Sequence, residues 1–341
     1  MQTQCNPIQM EFAEVERRRV VAAFDGGTVS SDGGALLLTR TDEAIGLIDR
    51  LAGCFRDRRA PALVEHAVRT LVGQRVFGIA AGYEDLNDHD ELRKDPLWGA
   101  LMGKLTAKRR DCQALAGKST LNRLEWAKAN GTTRYQRIEV DAPAIEALFV
   151  TLFLESYAKA PEEIVLDLDA TDDPLHGGQE GRFFHGYYDH YCYLPLYIFC
   201  GRHLLCAKLR PANIDGAAGA KEEVTRIVEQ IRARWPETRI ILRADSGFAR
   251  EGLMAWCEGN GVDYVFGLAR NRRLERWLQP TLERVAEQVA VRGQAAREFL
   301  ERSYRTLTSW SCARRVVGKA EVTPLGSSPR FVVPSLSVQA W

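Results

Sequence analysis

Ile164-Val165-Leu166-Asp167-Leu168-Asp169-Ala170-Thr171-Asp172-Asp173 is the stretch on which the reading of this chain turns. Apolar and acidic residues alternate along it with the period of a β-strand. Ile164, Leu166 and Leu168 then share one face, and Val165, Asp167 and Asp169 share the other. A carboxylate on a buried strand is costly unless it is paired or binds a metal. Ala170-Thr171-Asp172 reads as the strand exit, which makes Asp169 the better metal ligand of the two. The competing reading is that Asp167 and Asp169 pair with arginines or cap a loop.

A second stretch answers the first: Arg239-Ile240-Ile241-Leu242-Arg243-Ala244-Asp245-Ser246-Gly247-Phe248. It is another apolar strand that ends on an acid and leads into a helix. Functional residues gather at the carboxyl ends of strands in open α/β sheets. Capping of the following helix by Asp245 or Ser246 is the alternative. Two strands that each bring a carboxylate to a shared edge make a site for hard divalent metals. Two such metals about 4 Å apart activate a water and stabilise the leaving oxygen in phosphodiester chemistry. That chemistry normally needs a third carboxylate.

Around these strands the order of elements can be read from periodicity. Tyr193 to Cys200 and His203 to Leu209 form a hairpin about Gly201-Arg202. Gly219 to Trp235 is a helix with Val224, Ile227, Val228 and Ile231 on one face. Ala249 to Gly259 is a helix and Val262 to Leu268 a strand. Thr281 to Val291 is a modest helix, and Phe299 to Val322 and Arg330 to Val338 are strands. Upstream, Val64, Val68, Leu71, Val72 and Val76 repeat at helical steps behind Pro61, which suits a first helical turn. Ala144 to Leu154 is a further helix, and the glycine pairs at Gly26 and Gly33 punctuate short strands or loops. The expected fold class is α/β: a ribonuclease-H-like mixed sheet with flanking helices over 161–341, preceded by a mainly helical region over 1–160.

Composition narrows the classes. The 341 residues carry a net charge of +1, with 45% hydrophobic and 27% charged residues, as in an ordinary soluble protein. No apolar run is long enough for a membrane span. The polar N-terminus lacks a signal-peptide core, so the cytoplasm is the expected compartment. The eight cysteines form no C-x-x-C pair and read as buried free thiols. Net charge does not exclude nucleic acid, which needs only a local basic surface. Arg270 to Arg273 and Arg297 to Arg315 are candidates for such a surface.

Three other segments invite a functional reading. His176, His185 and His190 lie with Asp189 in a glycine- and tyrosine-rich stretch. Their spacing fits no standard zinc site, but its rings could stack on bases; a loop folded on itself is the alternative. Ala116-Gly117-Lys118-Ser119-Thr120 imitates the end of a phosphate loop, yet Cys112 stands where that motif needs glycine, so Ser119 or Thr120 is expected to cap a helix. Gly82 to Pro96 matches a calcium loop only in its number of acids and is expected to connect two helices.

Together Leu166 to Gly177, Phe184-His185-Gly186-Tyr187-Tyr188-Asp189-His190 and Arg243 to Phe248 resemble the DDE transposases of bacterial insertion sequences. The insertion sequence 1380 group, within the insertion-sequence-4-like class, is the most similar. Gly82-Tyr83-Glu84-Asp85, Leu92-Arg93 and Leu115 to Leu121 extend the resemblance, which runs from about residue 20 onward. It implies DNA transposition by a ribonuclease-H-like domain using Mg²⁺ or Mn²⁺. Asp169 and Asp245 take the places of the family's first two catalytic, metal-binding aspartates. The partner implied is double-stranded DNA at the terminal inverted repeats, bound by a homodimer with help from the N-terminal helical region.

The family's third acid is a glutamate in a helix of the form Y-x-x-R-x-x-x-E-x-x-x-K, and this pattern is not found here. A chain truncated at its C-terminus, with an exposed apolar sheet face, is therefore expected. Glu283 or Glu287 as a substitute ligand is the rescue reading. A non-catalytic DNA-binding remnant that competes with intact transposase, and a metal-dependent nuclease outside transposition, are the other functional classes.

Overall fold

The computed structural model describes residues 10–22, 30–129, 133 and 135–336. Gly26, Gly27, Cys5 and the end of the strand expected to reach Val338 lie outside these residues. The chain divides into two compact units, Met1–Ile145 and Glu146–Trp341.

In the first unit, strands β1 (Met10–Val15) and β2 (Arg18–Ala22) form an antiparallel hairpin. Helices α1 (Leu36–Ile45) and α2 (Leu47–Gly53) follow, and β3 (Phe55–Asp57) pairs with β4 (Ile138–Val140). Between them run α3 (Val68–Ala80), α4 (His89–Leu92), α5 (Pro96–Leu101) and α6 (Lys118–Glu125). Val64 falls outside α3, because Pro61 opens a separate 3-10 turn, Pro61–Leu63. Ile48, Leu71, Val72, Trp98, Leu115 and Leu121 form the core. Two polar side chains find partners there. Asp32 accepts hydrogen bonds from Tyr83 Oη and Trp98 Nε1, both at 3.0 Å. Gln74 exchanges two bonds of 3.0 Å with the backbone of Ala116.

The two look-alike segments of this unit are absorbed by its architecture. Gly117, rather than Ser119 or Thr120, is the N-cap of α6. A Cβ at 117 would stand 2.5 Å from Asp90 Oδ1, so glycine admits the carboxylate that accepts the Lys118 N–H at 3.2 Å. The Lys118 ammonium is held by Asn87 at 2.9 Å. The acids of the 82–96 segment likewise serve as caps: Asp85 accepts from Asn87 N and Asp95 from Leu97 N.

The second unit takes the apolar residues of α7 (Ala142–Glu155), namely Val150, Phe153 and Leu154, into its core. Its strands are β5 (Glu163–Ala170), β6 (Asp173–Pro174), β7 (Phe183–His185), β8 (His190–Tyr193), β9 (Leu196–Cys200) and β10 (His203–Lys208). Then come α8 (Ala220–Arg234), β11 (Arg239–Ala244), α9 (Glu251–Gly259), β12 (Asp263–Leu268) and α10 (Arg272–Arg292). The last strands are β13 (Ala296–Tyr304), β14 (Arg314–Thr323), β15 (Gly326–Ser327) and β16 (Arg330–Pro334). The main sheet runs β10-β9-β5-β11-β12-β16-β14-β13. β5, β11 and β12 are parallel, whereas β9, β10, β16, β14 and β13 enter by antiparallel pairing. The expected hairpin and the parallel pairing of the two acid-bearing strands are present. The span 299–322 is two strands of a hairpin, not one.

One face of this sheet is dry. Leu166, Leu168, Ile198, Leu242, Tyr264, Phe266 and Val333 are buried there with apolar residues of α7 to α10. α10 is a full 21-residue helix, twice the length expected. Its buried residues Leu274, Leu278, Leu282, Val285 and Val289 keep the helical step through Pro280. It packs on β14 and β13 from the dry side: a Cβ at Gly318 would stand 3.0 Å from both Leu278 and Trp277. The opposite face carries Val165, Asp167, Tyr197, Phe199, Val265 and Val332, all only partly buried.

Candidate active site

β5 and β11 run parallel with Asp167 opposite Arg243 and Leu168 opposite Ala244. Asp169 is the next residue on β5, and Asp245 is the residue that follows the end of β11. Residues at the same register of neighbouring strands project from the same face, with the strands about 4.8 Å apart. Both acids therefore leave the sheet side by side, on the partly open face, and both are exposed. Asp245 keeps an extended backbone, φ −73° and ψ −174°, and accepts the Gly247 N–H at 2.8 Å, so it caps the 3-10 turn Ser246–Phe248. The capping role weighed from the sequence is real, and it leaves the second carboxylate oxygen of Asp245 free of hydrogen bonds among the described residues.

The neighbouring acid behaves differently. Asp167 is bound by Arg243 through two bonds, Nε to Oδ1 at 2.5 Å and Nη2 to Oδ2 at 2.9 Å. The arginine-paired reading holds for Asp167 and not for Asp169, which has no side-chain hydrogen bond or ion pair among the described residues.

Gly267 was not legible from the sequence. It lies on β12 beneath the turn, and a Cβ there would stand 2.8 Å from Ser246 N and 3.0 Å from the Asp245 carbonyl carbon. Only a residue without a side chain lets the Asp245–Ser246 peptide lie this close to the sheet. The cleft beside it, about 320 Å³, is lined by Asp245, Ser246, Gly267, Arg270 and Arg330 among others. Two guanidinium-bearing residues thus flank one acid.

A small three-stranded sheet, β6-β8-β7, rises between β5 and β9. It begins four residues after Asp169; His185 and His190 lie on its strands, and His176 lies in the connection between β6 and β7. His190 Nε2 lies 2.7 Å from Asp172 Oδ2. The Tyr188 hydroxyl donates to Ala170 O at 3.4 Å. Burial, then the charges of Asp172, Asp169 and Asp245 among its neighbours, raise that hydroxyl above the usual tyrosine value. His185 packs on Tyr188 with ring centres 4.9 Å apart, while His176 is exposed. These histidines do not form a metal cluster: among the described residues no group of three or more His, Cys, Asp or Glu is placed to hold an ion.

Six of the glutamates that follow Asp245 have side-chain partners elsewhere. Glu251 and Glu258 both hold the buried Arg314, at 2.6 Å each. Glu298 pairs with Arg284, Glu301 with Arg315 and Glu321 with Lys319. Glu283 accepts from Gln279 at 2.9 Å. Glu283 and Glu287 ride on α10, which covers the dry face three strand positions from β11. The same ion pairs reduce the basic surface expected over 297–315, since Arg314 and Arg315 face acids. Arg302 lies over the Trp277 ring at 5.3 Å, and Arg305 donates to Trp310 O at 3.1 Å.

What this arrangement can hold is limited by its donors. A Mg²⁺ ion is commonly held by one or two carboxylates, with waters and substrate phosphates completing its shell. Asp169 and Asp245 supply that number of hard oxygen donors. A third carboxylate is not brought to them among the described residues. Among the described residues seven cysteines are free, and burial pushes the Cys206 and Cys257 thiols up to about 12. No helix among the described residues is long and apolar enough to cross a membrane. No curated protein matches the chain. The family model described as Transposase DDE domain group 1 matches residues 12–340. This chain therefore belongs to the DDE transposases, a family that acts on DNA in transposition and generally uses divalent metal ions.

Proposed function

We propose that Asp169 and Asp245 are the catalytic carboxylates of a ribonuclease-H-like domain that cleaves and transfers strands at the ends of an insertion sequence of the 1380 group. The observation that carries this reading is that Asp169 and Asp245 each follow the last paired residues of β5 and β11, Leu168 and Ala244. The pair would hold Mg²⁺ or Mn²⁺, which supplies activation of the attacking water or hydroxyl and charge relief at the leaving oxygen. Arg270 and Arg330, lining the cleft beside Asp245, suit the entering phosphate. The unit ending at Ile145 would contact the inverted repeats, with exposed Lys108 and Arg110 among its cations, and two copies of the chain would act on the paired ends.

The test is metal-dependent nicking of the duplex that flanks this chain's own gene. Loss of cleavage in both Asp169→Ala and Asp245→Ala supports the reading; undiminished cleavage in either variant sinks it. A second reading rests on the described residues bringing no third carboxylate to Asp169 and Asp245. A chain with only two ligands could bind element ends without cutting them and so compete with intact transposase. Retained binding by both variants, with no cleavage by any form, favours that reading. Cutting that ignores the repeats would point to a nuclease outside transposition.

A further inference from the structure

We infer that the β7-β8 hairpin is a stacking platform for unpaired nucleobases of the DNA strand held at Asp169 and Asp245. This rests on the reading of those acids as the cleavage site and adds the form of DNA they receive.

The hairpin spends its aromatic residues on the outside. Phe183 is 40% exposed, Phe184 52%, Tyr187 85% and Tyr191 48%. Four exposed rings within nine residues are a cost in water unless something covers them. They are not loosely arranged. Phe184 and Tyr191 face across the β7-β8 pairing with ring centres 5.6 Å apart and planes at 74°. The Arg182 guanidinium lies 4.7 Å from the centre of the Tyr191 ring. At the turn, Tyr187 stands edge-on to Tyr188, 5.0 Å away.

The anchoring of this hairpin places it at the acids. Tyr188 turns inward to Ala170 O, the residue after Asp169, and His190 holds Asp172. The inward ring belongs to the site already described, so the outward rings continue that site's surface. Flat rings beside a planar cation are the surface on which bases stack, whatever their sequence. A base stacked within a duplex cannot offer its face to such a surface, so the occupant is a strand whose bases are unpaired.

The probe is a duplex with a short single-stranded fork carrying 2-aminopurine, compared with the blunt duplex of the same sequence, in Ca²⁺ with the full chain. The fork is expected to bind about tenfold tighter, with quenched 2-aminopurine fluorescence. Tyr187→Ala and Phe184→Ala should each remove most of that preference and leave blunt-duplex binding unchanged. Tyr187→Phe should keep it, which separates loss of a ring from loss of the fold. Equal affinity for fork and blunt end in the wild-type chain, or an undiminished preference in both alanine variants, overturns the proposal. So does a change in self-association, rather than in fork binding, on removal of the rings; the face would then be a protein contact. The two readings fail separately: fork preference in a wild-type chain that does not cleave its element ends with Mg²⁺ or Mn²⁺ keeps the platform and removes the cleavage site. Cleavage by a chain whose ring variants bind and cut as wild type does the reverse.

Discussion

Gly267 and Ser246 are in contact distance only because position 267 has no side chain: a Cβ there would stand 2.8 Å from Ser246 N. The obstruction would be backbone, which cannot swing aside as a side-chain end can. Gly267→Ala is expected to cost about 1–3 kcal/mol in denaturant unfolding. It should also weaken Mn²⁺ binding measured by calorimetry, because the turn carries Asp245. A variant with wild-type stability and wild-type Mn²⁺ affinity would show that the turn has room to move.

Asp169 and Asp245 place like charges just beyond the paired Leu168 and Ala244 of neighbouring strands. Like charges so placed destabilise a sheet by about 0.2–1 kcal/mol. Asp169→Asn should therefore leave the metal-free chain as stable as wild type or slightly more so. The same substitution should abolish the stabilisation that Mn²⁺ gives the wild-type chain, read as a shift in melting temperature. An equal Mn²⁺ shift in both proteins would remove Asp169 from the metal site.

Arg314 is 4% exposed and answers two carboxylates, Glu251 and Glu258. The hydrogen bond from Arg314, helped by those from Ser311, holds the Glu251 carboxyl down to about 2, against the burial that would raise it. Arg314→Met would leave two acids facing each other at the α9–β14 junction. We expect a loss of about 3–5 kcal/mol, measured by urea unfolding. Glu258→Gln in the same background should recover part of it by removing one of the stranded charges.

His89 is fully buried, and burial, with Arg75 beside it, depresses its imidazole from 6.5 to about 4. The folded chain then binds fewer protons than the unfolded chain between those values. Stability is full above pH 6.5 and falls as the pH drops through 6.5 towards 4, by about 3 kcal/mol for this group. His66, also lowered to about 4, adds to the same window. Glu65, held to about 2 chiefly by its bond from Lys104, loses its contribution only between pH 4.5 and 2. Urea midpoints at pH 7, 6, 5 and 4 should trace the first window. His89→Gln should flatten it, and parallel curves for the two proteins would refute the assignment.

The acid-bearing strands were legible because alternation and a terminal acid are local signals. Leu166, Leu168 and Leu242 had to be buried, and that fixed the face of Asp167 and Asp169. Choosing between those two acids rested on where the strand ends, and Arg243, 76 residues away in sequence, shows why the choice could not be made from Asp167 alone. Gly267 was silent for the same reason, since close approach of two backbones leaves no trace in either segment. The first half of α10 was hidden by Pro280 and by its arginines, although Leu274, Leu278 and Leu282 do repeat at four-residue steps. The segment over 297–315 is less basic than its charge count, which does not show that Arg314 and Arg315 already face glutamates.

The Asp167–Arg243 pair has one more consequence. A one-residue slip of β5 past β11 would turn one strand's acids to the dry face, and a two-residue slip would set Asp169 against Arg243 and quench it. The salt bridge is satisfied only in the alignment that also pairs Leu168 with Ala244, the residues just before Asp169 and Asp245. One attraction thus acts as a gauge for an arrangement that its own charges oppose.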